Sequence, residues 1–134
     1  MLRIESLDVS IKSVRILRGV GLELERGQLV GLIGRNGAGK TTLMRAIMGI
    51  LTPTAGSITF DGASMKGVPS FQRARGGMGY MPEDRRIIPQ LSIEENVSLP
   101  AWAAGHAHPV ERLRRIYEMI PEVGQLKDRK GLQL

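Results

Sequence analysis

Gly34, Gly39, Lys40 and Thr41 stand at the spacing G-x-x-x-x-G-K-[ST] inside GRNGAGKTTL, residues 34–43. Each residue type suits the holding of a phosphate chain. Glycines at 34, 37 and 39 permit positive backbone angles and place no side chain between the loop amides and an anion. Converging N–H groups of such a loop form an anion-binding concavity. A helix starting near Lys40 adds the partial positive charge of its N-terminus. Lys40 brings a full charge to the β- and γ-phosphates, and Thr41 offers a hydroxyl to Mg2+, a cation that takes hard oxygen ligands and keeps several waters. Thr42 is placed to bond the α-phosphate side. Glycine-rich strand-to-helix turns also occur with no ligand. Here the Lys-Thr pair, the apolar run before the loop and the helical spacing after it all agree on phosphate.

The elements that must position this loop are legible from periodicity. LRIESLDVSI, residues 2–11, alternates loosely and reads as a strand, and VGLELE, residues 20–25, alternates cleanly as a second one with a wet face. QLVGLI, residues 28–33, is a nearly continuous apolar run, the pattern of a strand buried on both faces. After the loop, Leu43, Ile47 and Ile50 recur at helical spacing until Pro53 disfavours helix before it. SITF, residues 57–60, followed by Asp61-Gly62 predicts a strand ending in a turn, and GGMGYM, residues 76–81, a weaker strand. Ser92 with Glu95 carries the capping-box signature of a helix start. Pro100 either interrupts that helix or starts the next turn, and a further amphipathic helix runs from Pro109 to Pro121.

Composition bounds the function. A chain of 134 residues with 42% hydrophobic and 24% charged residues fits one soluble globular domain. No apolar run approaches the roughly 20 residues of a membrane-spanning helix, and the start has no signal-peptide pattern. The absence of cysteine excludes a disulfide framework and a thiolate metal site. These features favour the cytoplasm. The net charge of +6 suits nucleic acid, nucleotides or an anionic membrane surface, or is simply a solvated surface. Aromatics at 4% disfavour a base-stacking single-strand binder.

GRNGAGKTT, residues 34–42, resembles the Walker A motif of ABC-type ATPases, and the resemblance extends over LRGVGLELERGQLVGLIG, TPTAGSITFDG and GMGYMPEDRRIIPQLSIEENV, nearly the whole chain. It implies an α/β fold: a P-loop NTPase (ABC-type) core with an antiparallel β-subdomain and the start of a helical subdomain, truncated before the signature motif. The ATP-binding core with Walker A then spans residues 1–90, and the helical part 91–134. Gly34, Asn36, Gly37, Ala38, Gly39, Lys40, Thr41 and Thr42 would hold ATP, with Mg2+ on Thr41 and on Glu83. Glu83 stands where most family members carry a Q-loop glutamine, and an ionised carboxylate there cannot donate a hydrogen bond. Ile11 falls where the family stacks adenine on an aromatic side chain, so base contact without stacking is expected.

The local strings PEDRR and IEEN are most similar to ATPase subunits of branched-chain amino-acid importers. That implies a peripheral protein on the inner face of the cell membrane. Its partners would be a second ATPase subunit, as homo- or heterodimer, and transmembrane permease subunits, with no nucleic acid. Catalysis is not assignable to residues present here. The family's signature motif, Walker B strand and switch histidine lie further along, KGLQL resembles the run-in to the signature, and His106 and His108 come too early for the switch. Binding of ATP rather than hydrolysis is therefore the expectation. Without a Walker B neighbour, Leu29–Ile33 would be an unpaired edge, which invites association. Two alternative classes are a soluble P-loop ATPase or kinase, and a basic nucleic-acid binder using Arg73, Arg75, Arg85, Arg86, Arg112, Arg114 and Arg115.

Overall fold

The computed structural model describes residues 1–84, 87–105 and 109–133. They form two compact units, Met1–Arg73 and Ala74–Leu134.

The first unit is built on an antiparallel sheet of order β2-β1-β3-β4, with β1 Leu2–Ile11, β2 Val14–Leu24, β3 Ala55–Phe60 and β4 Ala63–Ser64. It also carries α1, Lys40–Ile47; the short helix α2, Ser70–Arg75, spans the division. β2 starts earlier than its clean alternation suggests, because Ile11 pairs with Val14 and the whole hairpin zips from there to Leu2 and Leu24. Arg15 and Arg18 break the apolar pattern in that stretch and hide the strand. The buried residues of β1 are Ile4, Leu7 and Val9, a spacing of three and then two. A plain strand repeats every second residue. The departure arises at Ser6, whose φ of 48° accompanies a register irregularity between Ile4 and Leu7 and returns Leu7 to the core face. Leu17, Leu43, Ala46, Ile47 and Ile58 are buried in the same unit.

Asp8 pins the hairpin. Its Oδ1 accepts the Gly19 N–H at 2.6 Å and its Oδ2 accepts from Arg15. The Gly19 N–H, more than the Arg15 guanidinium, holds this carboxyl below its ordinary value. The unfolded chain thus takes up the proton more readily. The stabilising effect is present above the ordinary aspartate value of 3.8 and is lost as pH falls below it, through the lowered folded value. The urea midpoint of the native chain should therefore drop below about pH 4 more steeply than that of Asp8→Asn. Parallel pH profiles would refute the assignment.

Residues 28–33 do not form a strand. They carry no regular secondary structure and no strand pairing among the described residues, and Leu29 and Ile33 are 98% and 96% exposed. Apolar composition states a need for burial but supplies no neighbour, and β1 is already paired on both sides by β2 and β3. Residues 76–81 likewise hold a turn at 76–77 and an irregular run in place of the weak strand.

The second unit contains α3 Ile93–Ala103, α4 Pro109–Met119, α5 Pro121–Gln125 and a 3-10 turn Gly131–Gln133. The capping box forms as the sequence requires: Glu95 N–H donates to Ser92 Oγ at 3.1 Å and Ser92 N–H to Glu95 Oε2 at 2.6 Å. Pro100 lies inside α3, close enough to its end that one missing N–H is tolerated. Pro121 ends α4 and opens α5. Asn96 ties the preceding loop to α3: its Oδ1 accepts the Ile88 N–H at 2.7 Å and its Nδ2 donates to the carbonyls of Ile88, Leu91 and Ser92. Tyr117 donates to Glu94 Oε2 at 2.7 Å, and burial followed by that carboxylate pushes the phenol up to about 12. Among the described residues no helix is long and apolar enough to cross a membrane.

Candidate functional site

The glycine loop and the start of α1 lie within the first unit. Gly39 occupies the N-cap position at φ 93°, a left-handed conformation that favours glycine. A Cβ there would sit 2.7 Å from Leu17 Cδ2 and 3.5 Å from Ile16 Cγ2, so β2 backs the loop at van der Waals distance. Ahead of it Ala38 N–H donates to the Arg35 carbonyl at 3.1 Å, closing a turn whose third residue, Gly37, has φ 82°. That is the type II pattern, which needs glycine at its third position. The loop is legible in the sequence, whereas Ile16 and Leu17 are not marked as its backing; the only signal is that this apolar pair sits between Arg15 and Arg18.

Lys40 folds its side chain back over the loop, and its ammonium donates to the carbonyls of Gly34 at 2.5 Å and Arg35 at 2.9 Å. One cation therefore fixes both the start of the loop and the start of the helix. No acidic residue lies in the first turn of α1 and no side chain caps it. The first turn of α1 thus sets no carboxylate of its own against the positive end of the helix, which favours an incoming polyphosphate. Thr41 follows in the first turn and is exposed, while Thr42 is half-buried. Among the described residues no group of three or more His, Cys, Asp or Glu gathers to hold a metal. Magnesium that is already bound by phosphates and waters asks for few protein ligands, so a threonine hydroxyl fits it.

Other expected residues stand as follows. Asn36 is exposed at the second position of the turn, and Ala38 closes it. Ile11 ends β1 opposite Val14, 37% exposed, with an aliphatic face where stacking would need an aromatic one. Glu83 lies in an exposed turn of the second unit. Arg85, Arg86, His106, His108 and Leu134 lie outside the described residues. Arg73 is 6% exposed, and burial lowers its pKa below the ordinary guanidinium value. It donates to the carbonyls of Ala46, Ile47, Met65 and Val68 and so is not offered to nucleic acid. Arg114 is paired with Glu118, and Arg112 and Arg115 are exposed on α4.

The family model described as ABC transporter matches residues 17–133. The chain belongs to the ABC transporter family. It is 34% identical to the lipopolysaccharide export system ATP-binding protein LptB of Acidithiobacillus ferridurans, an alignment covering 100% of this chain and 56% of that protein. It is 30% identical to the high-affinity branched-chain amino acid transport ATP-binding protein BraG of Pseudomonas aeruginosa, over 96% of this chain and 54% of that one. Among solved structures it resembles a dimeric ATP-binding cassette in a post-hydrolysis state bound to ADP and Pi, with TM-score 0.87, 21% identity, 100% of this chain and 63% of the other. The ABC-type α/β P-loop fold is thereby shown. This family member spans about half the length of the curated relatives it matches.

Proposed function

We propose that this chain binds ATP with magnesium as the nucleotide-binding part of an ABC transporter ATPase subunit. The observation that carries the reading is the loop at 34–42, gathered by the Lys40 ammonium onto the N-terminus of α1 with no carboxylate in the first turn. On this reading Gly34 to Thr42 hold the phosphates, Lys40 turns from the loop carbonyls to the β- and γ-oxygens, and Thr41 contributes its hydroxyl to magnesium. When bound, the metal neutralises phosphate charge; the chain's own residues bind and orient. Residues 1–90 supply the nucleotide-binding core with its β-subdomain, and 91–134 belong to the helical subdomain. A second ATPase subunit and permease subunits at the inner membrane face are the proposed partners.

The transported solute divides the relatives. BraG, named for branched-chain amino acids, supports import of a small solute, the assignment favoured by the PEDRR and IEEN strings. LptB, named for lipopolysaccharide export, is as similar. Both are named ATP-binding proteins, and ATP is what the proposal commits to.

A ligand that binds only the folded state stabilises it by mass action, about 2.7 kcal/mol at a hundredfold excess over its dissociation constant. MgATP at that level should raise the melting temperature of the native chain by roughly 5 °C or more. Lys40→Ala should show no rise. Equal shifts in the two proteins would remove the loop from the function.

A further inference from the structure

We infer that Asn36 is a site of spontaneous deamidation, which places a carboxylate in the phosphate loop and is suppressed while the loop holds a ligand. The chain has only two asparagines, and the structure treats them oppositely. Asn96 is held through both ends of its amide by four backbone groups and is followed by β-branched Val97. Asn36 is exposed, lies in a turn and is followed by Gly37, where a Cβ would meet nothing within 4 Å. Glycine's freedom in φ and the open space around it let the Gly37 nitrogen reach the Asn36 side chain.

The reaction needs only water. The Gly37 amide nitrogen gives up its proton and attacks Asn36 Cγ, forming a C–N bond and a five-membered ring as the side-chain nitrogen leaves as ammonia. Water then opens the ring at either carbonyl and leaves aspartate or isoaspartate. In sum, one asparagine and one water become one acid and one ammonia. The neutral amide becomes an anion, three residues before the N-cap Gly39 and four before Lys40, the first residue of α1. The isoaspartate product also adds a backbone atom to a turn closed by a single 3.1 Å hydrogen bond. Asp61-Gly62 is an internal contrast: Gly62 has the same φ of 82° and open space, yet the Asp61 carboxylate is ionised and accepts from Arg26 at 3.2 Å. Ring closure there must first break that pair.

The protection part of the inference rests on the nucleotide reading, whereas the conversion of Asn36 does not. The experiment incubates the native chain at mildly alkaline pH and follows residues 36–40, released by trypsin after Arg35, and the segment containing Asn96 by mass spectrometry, with isoaspartate detected enzymatically. The mass change of an amide turned into an acid should accumulate at Asn36 and not at Asn96. Conversion of both at one rate, or of neither, overturns the site. MgATP at ten times its dissociation constant leaves about one loop in eleven open, so conversion should slow about tenfold. Inorganic tripolyphosphate as a second probe should protect likewise. Conversion that neither probe slows would overturn the protection and, with an unchanged melting temperature, the nucleotide reading as well. Asn36→Asp should weaken MgATP binding at least about tenfold through repulsion of the phosphates; unchanged affinity would overturn the charge effect.

Discussion

Gly56→Ala should cost at least about 3 kcal/mol of stability, the sum expected when backbone strain meets a steric overlap that cannot relax. Gly56 has φ 82°, and a Cβ there would lie 2.3 Å from the Ser6 carbonyl oxygen and 2.5 Å from that of Glu5. Both obstacles are backbone of β1, which with β3 forms the central pair of the sheet, so no side chain can swing aside. β3 would have to part from β1 near the Asp8–Ala55 pairing, opening the sheet above buried Leu7 and Val9. Urea unfolding followed by circular dichroism reads the loss directly. A midpoint within a few tenths of a kcal/mol of the native value would mean that Ser6 and Gly56 do not approach in solution.

A comparable loss, about 3–5 kcal/mol, is expected for Arg73→Met. The apolar replacement matches only the aliphatic stem of the side chain and removes the guanidinium donors. Four carbonyls then lose a partner: Ala46 and Ile47 at the end of α1, Met65 after β4, and Val68 before α2. Carbonyls at the end of a helix lack the regular intrahelical donor; that of Ala46 also accepts the Gly49 N–H at 3.0 Å, and Arg73 caps both it and Ile47. Gly49 leaves room for it; a Cβ there would come within 2.8 Å of Arg73 Nε. Arg73→Lys should recover only part of the loss, because an ammonium cannot reproduce the planar fork. If Arg73→Met unfolds with the native midpoint, water satisfies these carbonyls and the guanidinium is dispensable.

Much of this was legible in the sequence because it is local. The capping box at Ser92, the helix starting at Lys40, β1 at 2–11 and the glycine loop each depend on neighbours within a few residues, and each has its own residue types. What stayed hidden depends on partners far along the chain. Arg73 looked like a surface cation because arginine is seldom buried, and nothing nearby announced the carbonyls 26 and 27 residues before it. Gly56 precedes the expected strand at 57–60, and nothing near it in the sequence announces the Ser6 and Glu5 carbonyls packed against it. The strand expected at 28–33 failed for the same reason in reverse, since its sequence carries the apolar signal but no partner strand is paired with it among the described residues. For the site, residue identities in the loop were readable, whereas the backing by Ile16 and Leu17 required the fold.

The unpaired run at Leu29–Ile33 leads directly into the loop at Gly34. Amides without a ladder partner exchange their hydrogens with solvent at close to the rate of an unstructured peptide, while those of β1 exchange only when the sheet opens. The first unit therefore carries its most apolar exposed segment and its phosphate loop on one stretch of low protection, anchored behind by the turn at Glu25–Gln28 and ahead by α1. Order imposed on the loop by a ligand has only a few residues to travel before it reaches Ile33, and slowing of deuterium uptake there would register occupancy without any label on the ligand.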